Sequence, residues 1–171
     1  MGEKKDLRFG EKADDMHIRP KHFIKLKTFA GSINCMAGVV DGKTRECLLC
    51  KNASSGWDDP ISKAVDYFVT IVLDRSDGRA KFYEGGYYVR NKLMEFYKVN
   101  GDIRLIDFQL FRQKQKGAGT WSMTPLINTT RPLNDEEKDE IAKLDIKQAL
   151  KMGFKSIAEI EEIINSLKCQ H

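Results

Sequence analysis

The sequence predicts a mainly β fold of the α+β class, in which a β-rich body is followed by C-terminal helices. Runs of alternating or β-branched apolar residues, which are typical of strands, continue to about residue 127. After residue 132 the apolar residues instead recur at helical spacing. With 171 residues, of which 41% are apolar, the chain can bury one sizeable core.

The chain is expected to divide into three segments. Residues 1–16 carry many charges without periodicity, which predicts a flexible N-terminal arm. Residues 17–131 are expected to form the main domain, with a small insertion at about 22–56 where three of the four cysteines cluster. Residues 132–171 predict a helical C-terminal extension.

Five strands are predicted in the main domain. In the first, at residues 23–29, Ile24 and Leu26 alternate with Lys25 and Lys27, which indicates a half-buried strand. The second is apolar on both faces and long enough to be central. The second to fifth strands are predicted at residues 64–74, 79–84, 104–112 and 120–127.

Three helices are predicted. Apolar residues at helical spacing indicate a short amphipathic helix at residues 87–97. In the extension, Asn134 or Asp135 is suited to cap a helix that Gly153 would end. Ser156 is suited to cap the last helix.

The cysteine cluster predicts a metal site. Cys47 and Cys50 stand at a spacing at which one turn directs both sulfurs to a single ion. Cys35 and His22 complete a tetrahedral set with the spacing His-x12-Cys-x11-Cys-x2-Cys. His17 is the competing candidate for the fourth ligand, and the alternative to a metal site is a set of small buried thiols.

The expected ion is one structural Zn²⁺ per chain. Three thiolates and a histidine would leave no open position for a reacting water, so Lewis-acid catalysis is not expected. The chain also has no phosphate-binding glycine loop, no Ser-His-Asp order and no His-Glu-x-x-His motif. We therefore expect a protein that is not an enzyme, and a zinc-containing nuclease is the least favoured alternative.

Charge and aromatic content predict a nucleic-acid surface. The net charge is only +4, but the basic excess lies in residues 1–131, while residues 132–171 are mildly acidic. Cations neutralise phosphates, and aromatic rings stack on unpaired bases. The candidate contact residues are Arg19, Lys21, Lys25, Lys27, Trp57, Arg79, Lys81, Tyr83, Tyr87, Phe111, Arg112, Lys114 and Lys116.

For two of these aromatics, the alternation of residues along a strand predicts that the ring faces solvent. In the strand at residues 104–112, the face that carries Phe108 is expected to be buried, which leaves Phe111 on the opposite face. By the same reasoning Tyr83 is expected to lie opposite Phe82. Most other aromatics are needed to fill the core.

The combination of features resembles the single-stranded DNA-binding proteins of T-even-type bacteriophages and their relatives. The residues that carry the resemblance are "H" at 22, "C" at 35, "CLLC" at 47–50 and "VLDRSDG" at 72–78. It covers roughly residues 17–127. The resemblance implies an OB-fold-like five-stranded barrel with a zinc subdomain, whose ligands are His22, Cys35, Cys47 and Cys50.

The function that the resemblance implies is coating and protection of single-stranded DNA in replication, recombination or repair, with little sequence specificity. The chain departs from the family in lacking a strongly acidic tail and a clear basic N-terminal motif. Replication or recombination proteins are therefore expected as partners through the C-terminal helices.

The competing hypothesis is a zinc-stabilised protein-interaction module, associated with a virion or with transcription. Its contact would be the apolar stripe of the last helix, formed by Ile157, Ile160, Ile163, Ile164 and Leu167. No segment approaches the roughly 20 apolar residues of a membrane span, and the polar start does not resemble a secretory signal. A cytoplasmic location, that of the host cell for a viral protein, is expected, without a membrane partner.

Overall fold

The chain divides into two compact units in the structure, a computed structural model. The sheet unit comprises Met1–His17 and Phe68–Ala149, and the cysteine unit comprises Ile18–Tyr67 and Leu150–His171. The structure describes residues 2–27, 29–40, 43–53, 60–113, 120–151 and 154–168. The cysteine unit contains the insertion predicted at about 22–56 and also includes the end of the chain.

The described residues form strands up to residue 125, interrupted by two α-helices, and then three further helices. The strands are β1 Gly2–Phe9, β2 His17–Ile18, β3 Lys21–Lys25, β4 Ala30–Asn34, β5 Gly38–Val40, β6 Lys43–Arg45, β7 Tyr67–Asp74, β8 Arg79–Gly86, β9 Asp107–Gln113 and β10 Thr120–Pro125. The helices are α1 Leu48–Asn52, α2 Tyr87–Asn100, α3 Asp135–Ala142, α4 Ile146–Lys151 and α5 Ile157–Lys168, with single 3-10 turns at Ala13–Asp15 and Ile103–Leu105.

The principal sheet has six strands in the order β10-β9-β1-β7-β2, with β8 also paired to β7. Neighbouring strands are antiparallel where β1 meets β7 and β9 and where β9 meets β10. In the register of the sheet, Leu7 of β1 lies between Asp74 of β7 and Phe108 of β9. The mixed α+β class is confirmed, but the described strands do not close into a barrel.

The core of the sheet unit is built from aromatic rings on one face of the sheet and from α2. Phe9, Phe68 and Phe108 are fully buried. The ring of Phe108 makes edge contacts with Phe9, at a centroid distance of 5.6 Å, and with Phe96 of α2, at 5.1 Å. Such edge-to-face pairs add roughly 0.5–1.5 kcal/mol to the free energy gained by burying the rings.

The predicted flexible N-terminal arm is wrong, because residues 2–9 form β1 in the interior of the sheet. Leu7 and Phe9 belong to the core, and Arg8 between them is also buried. The alternation is short and stands among charged residues, so the segment resembles a solvated arm in the sequence. Its stability comes from pairing with β7 and β9, which lie more than fifty residues away along the chain.

A buried network of ion pairs joins β1, β9 and α3 to the turn after β7. The Asp107 carboxylate accepts hydrogen bonds from Nε of Arg8, at 2.8 Å, and from Nε of Arg75, at 3.0 Å. Arg75 also donates to Glu137 of α3, at 2.5 Å, and Arg131 donates to the same carboxylate at 2.9 Å. These bonds satisfy charges whose burial would otherwise be costly.

Helix α3 covers part of the outer face of the sheet. An added Cβ at Gly10 would lie 3.0 Å from Cγ2 of Ile141 and 3.4 Å from Cγ2 of Ile71, so α3 and β7 meet over the end of β1. Ile71 is buried although it faces away from the aromatic core. The absence of a side chain at Gly10 permits this close packing.

The cysteine unit has a second, smaller core. The hairpins β3–β4 and β5–β6, helix α1 and helix α5 belong to it. Ile24, Ile33 and Leu49 are buried in this core, and Ile160 of α5 packs with them. The apolar stripe of α5 therefore stabilises the cysteine unit.

The helix termini follow the predicted capping chemistry. Asn134 accepts a hydrogen bond from N–H of Glu137 at 2.8 Å, and the Glu137 side chain accepts one from N–H of Asn134, forming a capping box. Ser156 and Glu159 make the same reciprocal pair. The single helix predicted to end at Gly153 is instead divided into α3 and α4, and Gly153 lies outside the described residues.

None of the helices in the described residues has the length and apolar character that a membrane crossing requires. The longest, α2, has 14 residues, whereas a span needs about 20.

Candidate functional site

The four predicted ligands meet in the cysteine unit. His22, Cys35, Cys47 and Cys50 each direct one ligand atom into a group whose members all lie within 4.8 Å of one another. The Sγ atoms of Cys35 and Cys50 are 3.4 Å apart, and Nε2 of His22 lies 3.4 Å from Cys50 Sγ and 3.7 Å from Cys47 Sγ. These distances exceed the roughly 2.05 Å of a disulfide and match ligands that surround a common centre. The cluster can hold a metal ion.

Local secondary structure directs each ligand inward. His22 lies on the buried face of β3, the face that also carries Ile24, and none of its surface is exposed. Cys35 directly follows β4, the partner of β3. Cys47 caps α1 and Cys50 stands one turn later, so both sulfurs lie on one side of this short helix.

The His22 ring is held by a hydrogen bond on its far side. Its Nδ1 lies 2.7 Å from the carbonyl oxygen of Ser62, which can only accept, so Nδ1 carries the proton. In the neutral ring this tautomer leaves Nε2 with a lone pair directed toward the sulfurs, the arrangement that metal-binding histidines use. Ser62 is itself held on β3, because its hydroxyl accepts a hydrogen bond from N–H of Phe23 at 2.8 Å.

The three thiols do not ionise alike without a metal ion. Burial raises the pKa of Cys50 to about 12, and burial also raises the pKa of Cys35. Burial acts in the same direction on Cys47, but backbone N–H donors from Cys50 and Met36 outweigh it and lower its pKa to about 7. A divalent cation bound here would displace the remaining thiol protons.

The competing histidine lies elsewhere. Nε2 of His17 is 3.6 Å from a carboxylate oxygen of Glu11, and 38% of the His17 side chain is exposed. Of the two candidates for the fourth ligand, the structure brings His22 into the cluster. Cys169 and His171 lie outside the described residues.

A strip of cations and aromatic rings lies on the other face of β3. Lys21, Phe23 and Lys25 alternate with the buried residues of this strand. The Phe23 ring contacts Tyr67 at a centroid distance of 6.0 Å, and Nζ of Lys21 lies 5.6 Å from the Tyr67 ring centroid. We call these four residues the β3 strip. Phe23 and Tyr67 were not among the predicted contacts, although the alternation in β3 places Phe23 beside the lysines.

A second ring of this kind stands on the sheet unit. Phe111 is half-buried on the face opposite Phe108, as predicted, and Nζ of Lys4 lies 5.8 Å from its ring centroid. In the sheet, Lys4 and Ser122 are its direct neighbours on β1 and β10, and both are exposed. We call Lys4, Phe111 and Ser122 the Phe111 strip. Lys4 is not among the predicted contacts, because residues 1–16 are predicted from the sequence as a flexible arm.

The predicted exposure of Tyr83 is wrong. Its ring packs on the core side of β8 against Phe9 and Phe68, at centroid distances of 6.4 and 5.9 Å. Tyr83 is therefore partly buried against the core instead of facing solvent. Lys81 on the same strand is ion-paired with Asp74.

The other predicted contacts are scattered. Tyr87, at the start of α2, is 59% exposed, and Arg79 and Arg112 are also exposed in the sheet unit. In the cysteine unit Arg19 is half-buried and Lys27 is exposed. Trp57, Lys114 and Lys116 lie outside the described residues.

Comparison with known proteins gives no relative: no protein-family model, no curated protein and no solved structure matches this chain. The chemistry of the site therefore has to be interpreted from its own residues and distances.

Proposed function

We propose that this protein binds single-stranded DNA with little sequence preference, coating and protecting it in replication, recombination or repair. The observation that carries the proposal is that a strand in each unit holds an aromatic ring beside lysine ammonium groups on its outward face. A base can stack on such a ring while the neighbouring phosphate is neutralised, and neither contact reads the sequence. The proposed activity is binding and not catalysis.

The strand order of the sheet unit supports the proposal. β1 lies between β7 and β9, β8 flanks β7, β10 flanks β9, and α2 joins β8 to β9. An OB-fold arranges its five strands and helix in this order, and we infer that the sheet is an OB-fold whose third and fifth strands stay apart. On this interpretation the cysteine unit is an insertion between the first and second strands, a connection that OB-folds use for oligonucleotide binding.

The position of helix α3 decides which face of the sheet we propose as the DNA-binding surface. OB-folds also use the face of the second and third strands, here β7 and β8. That face is covered in part by α3, whose Ile141 packs closely on Gly10 beside Ile71 and whose Glu140 accepts a hydrogen bond from N–H of Ala80. We therefore assign the DNA surface of this unit to the Phe111 strip, together with the connection between β9 and β10 that contains Lys114 and Lys116.

We further propose that the ion in the cluster is Zn²⁺ and that its role is structural. A set of three thiolates and one imidazole is typical of closed tetrahedral zinc sites. The ligand His22 and the ring of Phe23 are consecutive on β3 and face opposite sides. Fixing His22 therefore also fixes the strand that presents the β3 strip.

The burial of α5 favours this proposal over the protein-interaction module. Ile160, Ile163 and Ile164 are buried in the core of the cysteine unit, so most of the α5 stripe is not available to a partner. Docking of replication or recombination proteins on the C-terminal helices would have to use their polar faces.

Removal of a stacking ring should weaken binding without changing its salt dependence. Phe23→Ala and Phe111→Ala are each expected to cost about 1–3 kcal/mol in affinity for a fluorescent oligothymidine, because a ring contributes stacking and releases no counterion. Tyr88→Ala is the control, since Tyr88 carries an exposed ring that also lies near an ammonium, that of Lys92, but stands on α2. Equal losses in all three variants would contradict the assignment.

Removal of a cation should instead flatten the salt dependence. Each phosphate contact contributes about −0.7 to the slope of log affinity against log salt, so Lys21→Ala and Lys25→Ala should each reduce the slope by about that amount. Lys143→Ala on α3, which lies outside both strips, should leave the slope unchanged. The proposed function fails if the folded, metal-loaded protein binds single-stranded DNA no better than duplex at about 0.1 M salt, where long-range attraction is already screened.

A further inference from the structure

A cavity of about 180 Å³ lies between four strands of the sheet unit. Its wall includes Leu7 of β1, Val72 of β7, Tyr83 of β8 and Leu110 of β9. An apolar protein cavity of about 150 Å³ is large enough to hold a benzene ring, so this one accommodates a planar heterocycle. Lys4 and the rest of the Phe111 strip lie on the opposite face of the same sheet, because neighbouring residues of a strand point to opposite sides.

The mouth of the cavity is charged, in contrast to its wall. Lys5 and Lys81 bring two ammonium groups to it, and Glu3 and Asp74 bring two carboxylates. The groups pair with each other and with Asp77: Nζ of Lys81 is 3.1 Å from Asp74 Oδ2 and 2.6 Å from Asp77 Oδ2, and Nζ of Lys5 is 3.7 Å from Glu3 Oε1. A phosphate at the rim therefore competes with these carboxylates for the two ammonium groups. A ligand that enters here meets both hydrogen-bond acceptors and cations at the rim.

The Tyr83 hydroxyl adds a polar group to the apolar wall. Burial raises the pKa of this phenol to about 12, so the group keeps its proton at neutral pH. Within the residues that the structure describes, this hydroxyl makes no hydrogen bond, although the ring itself packs against Phe9 and Phe68. A ligand heteroatom in the cavity can therefore form a hydrogen bond with it.

We propose that this cavity, which we call the nucleotide pocket, binds one nucleotide, with the base against the apolar wall and the phosphate between Lys5 and Lys81. A flat ring matches the volume and the wall, and a phosphate matches two ammonium groups at the rim. The choice of a nucleotide among flat anionic ligands rests on the proposed function. The nucleotide is either free or a single unstacked residue of a DNA strand, because both present the same base and phosphate.

The carboxylates at the rim favour some bases over others. Adenine, cytosine and guanine carry an exocyclic amino group that can donate to Asp74 or Glu3, whereas thymine carries none. The pocket should therefore bind AMP and CMP more tightly than TMP, by about fivefold for one charge-assisted hydrogen bond at a partly exposed site.

The test uses the full, metal-loaded protein in a ¹H–¹⁵N NMR titration. AMP, CMP, TMP, adenosine and inorganic phosphate are added separately. We expect saturable shifts at the amides of Leu7, Val72, Asp74 and Tyr83 with the monophosphates, and weaker binding of adenosine and of phosphate. Phosphate that binds as tightly as AMP would show that the pocket does not hold the base, and the absence of saturable shifts at these amides would also overturn the proposal.

Two variants locate the ligand. Leu110→Phe enlarges a wall residue into the cavity and should abolish the AMP shifts, while the thermal midpoint stays the same or rises because the cavity is filled. Lys5→Met changes an exposed side chain at the rim, does not threaten the fold, and should weaken AMP about fivefold through loss of one phosphate contact. Lys4→Met, one residue away on the opposite face, should weaken oligothymidine and leave the AMP affinity within twofold. Equal effects of Lys4→Met and Lys5→Met on AMP would overturn the assignment.

Parallel measurements of AMP binding and of single-stranded DNA binding test the pocket separately from the proposed function. Binding of AMP without binding of single-stranded DNA would mean that the pocket binds free nucleotides and would refute the proposed function. Binding of single-stranded DNA that is unchanged by Leu110→Phe, in a protein whose AMP binding is lost, would identify free nucleotides as the source. Binding of the strand with no response to AMP at the pocket would refute the pocket alone.

Discussion

Replacement of Cys47 or Cys50 with serine is expected to reduce zinc from about one ion per chain to near zero and to unfold the cysteine unit. Structural Zn²⁺ contributes roughly 10–16 kcal/mol of apparent binding free energy at neutral pH, and that free energy is coupled to folding. A serine hydroxyl does not replace a thiolate in such a site, so the variant loses the ion and not merely one bond.

The unfolding should be local because of how this unit is built. Its core is small, and Cys35 and Cys47 are themselves part of it beside Ile33 and Leu49. Hydrogen exchange should therefore accelerate in β3, β4, α1 and α5, while β1 and β9 of the sheet unit, which have their own aromatic core, keep their protection. Metal analysis and hydrogen-exchange mass spectrometry on the same samples measure both effects.

Two controls make this prediction specific. His17→Ala removes a histidine that pairs with Glu11 outside the cluster, and it should leave the zinc content unchanged, whereas His22→Ala should lose the ion. Cobalt substitution should give the intense visible bands of a tetrahedral thiolate site in the wild-type protein and in His17→Ala. A Cys47→Ser variant that retains zinc with normal protection would refute the assignment of the cluster.

The four residues of the cluster were predictable from the sequence because their information is local. Cys47 and Cys50 are one helical turn apart, and the alternation of β3 separates buried His22 from its exposed lysine neighbours. Metal chemistry restricts the choice further, since few residue types bind such an ion. The decision between His17 and His22 needed the structure, because it depends on which histidine is held by a hydrogen bond to the Ser62 carbonyl oxygen.

Long-range pairing explains what the sequence did not reveal. β1 is a strand because it fits between β7 and β9, and its charge pattern alone is that of an arm. Arg8 and Asp107 are 99 residues apart, and nothing near either of them indicates a buried ion pair. The return of α5 to the cysteine unit is of the same kind, since its apolar stripe shows only that some core is covered.

Replacement of Glu137 with glutamine is expected to destabilise the sheet unit by about 3 kcal/mol at neutral pH. Glu137 is buried and neutralises Arg75 and Arg131, and Arg75 also shares Asp107 with Arg8. Removal of one partner from a buried ion pair leaves the other charge without compensation, which typically costs 3–5 kcal/mol. We take the lower end of this range because Arg131 is 55% exposed and can turn to water.

The pH dependence of stability should identify Glu137 as the group responsible. Although burial opposes ionisation, hydrogen bonds from Arg75, Asn134 and Arg131 lower the pKa of Glu137 from 4.5 to about 2. The unfolded chain therefore binds the proton more readily, and the contribution of Glu137 is complete above about pH 4.5 and is lost as the pH falls toward 2. Urea unfolding between pH 7 and pH 2 should show a flatter decline in the free energy of unfolding for Glu137→Gln than for the wild type, with the two curves converging in acid.

The control is Glu136→Gln, an exposed neighbour on α3, which should follow the wild-type curve. Curves for Glu137→Gln and the wild type that stay parallel down to pH 2 would mean that this carboxylate is not the ionised centre of the network, and that α3 is held to the sheet by apolar packing such as that of Ile141 on Gly10.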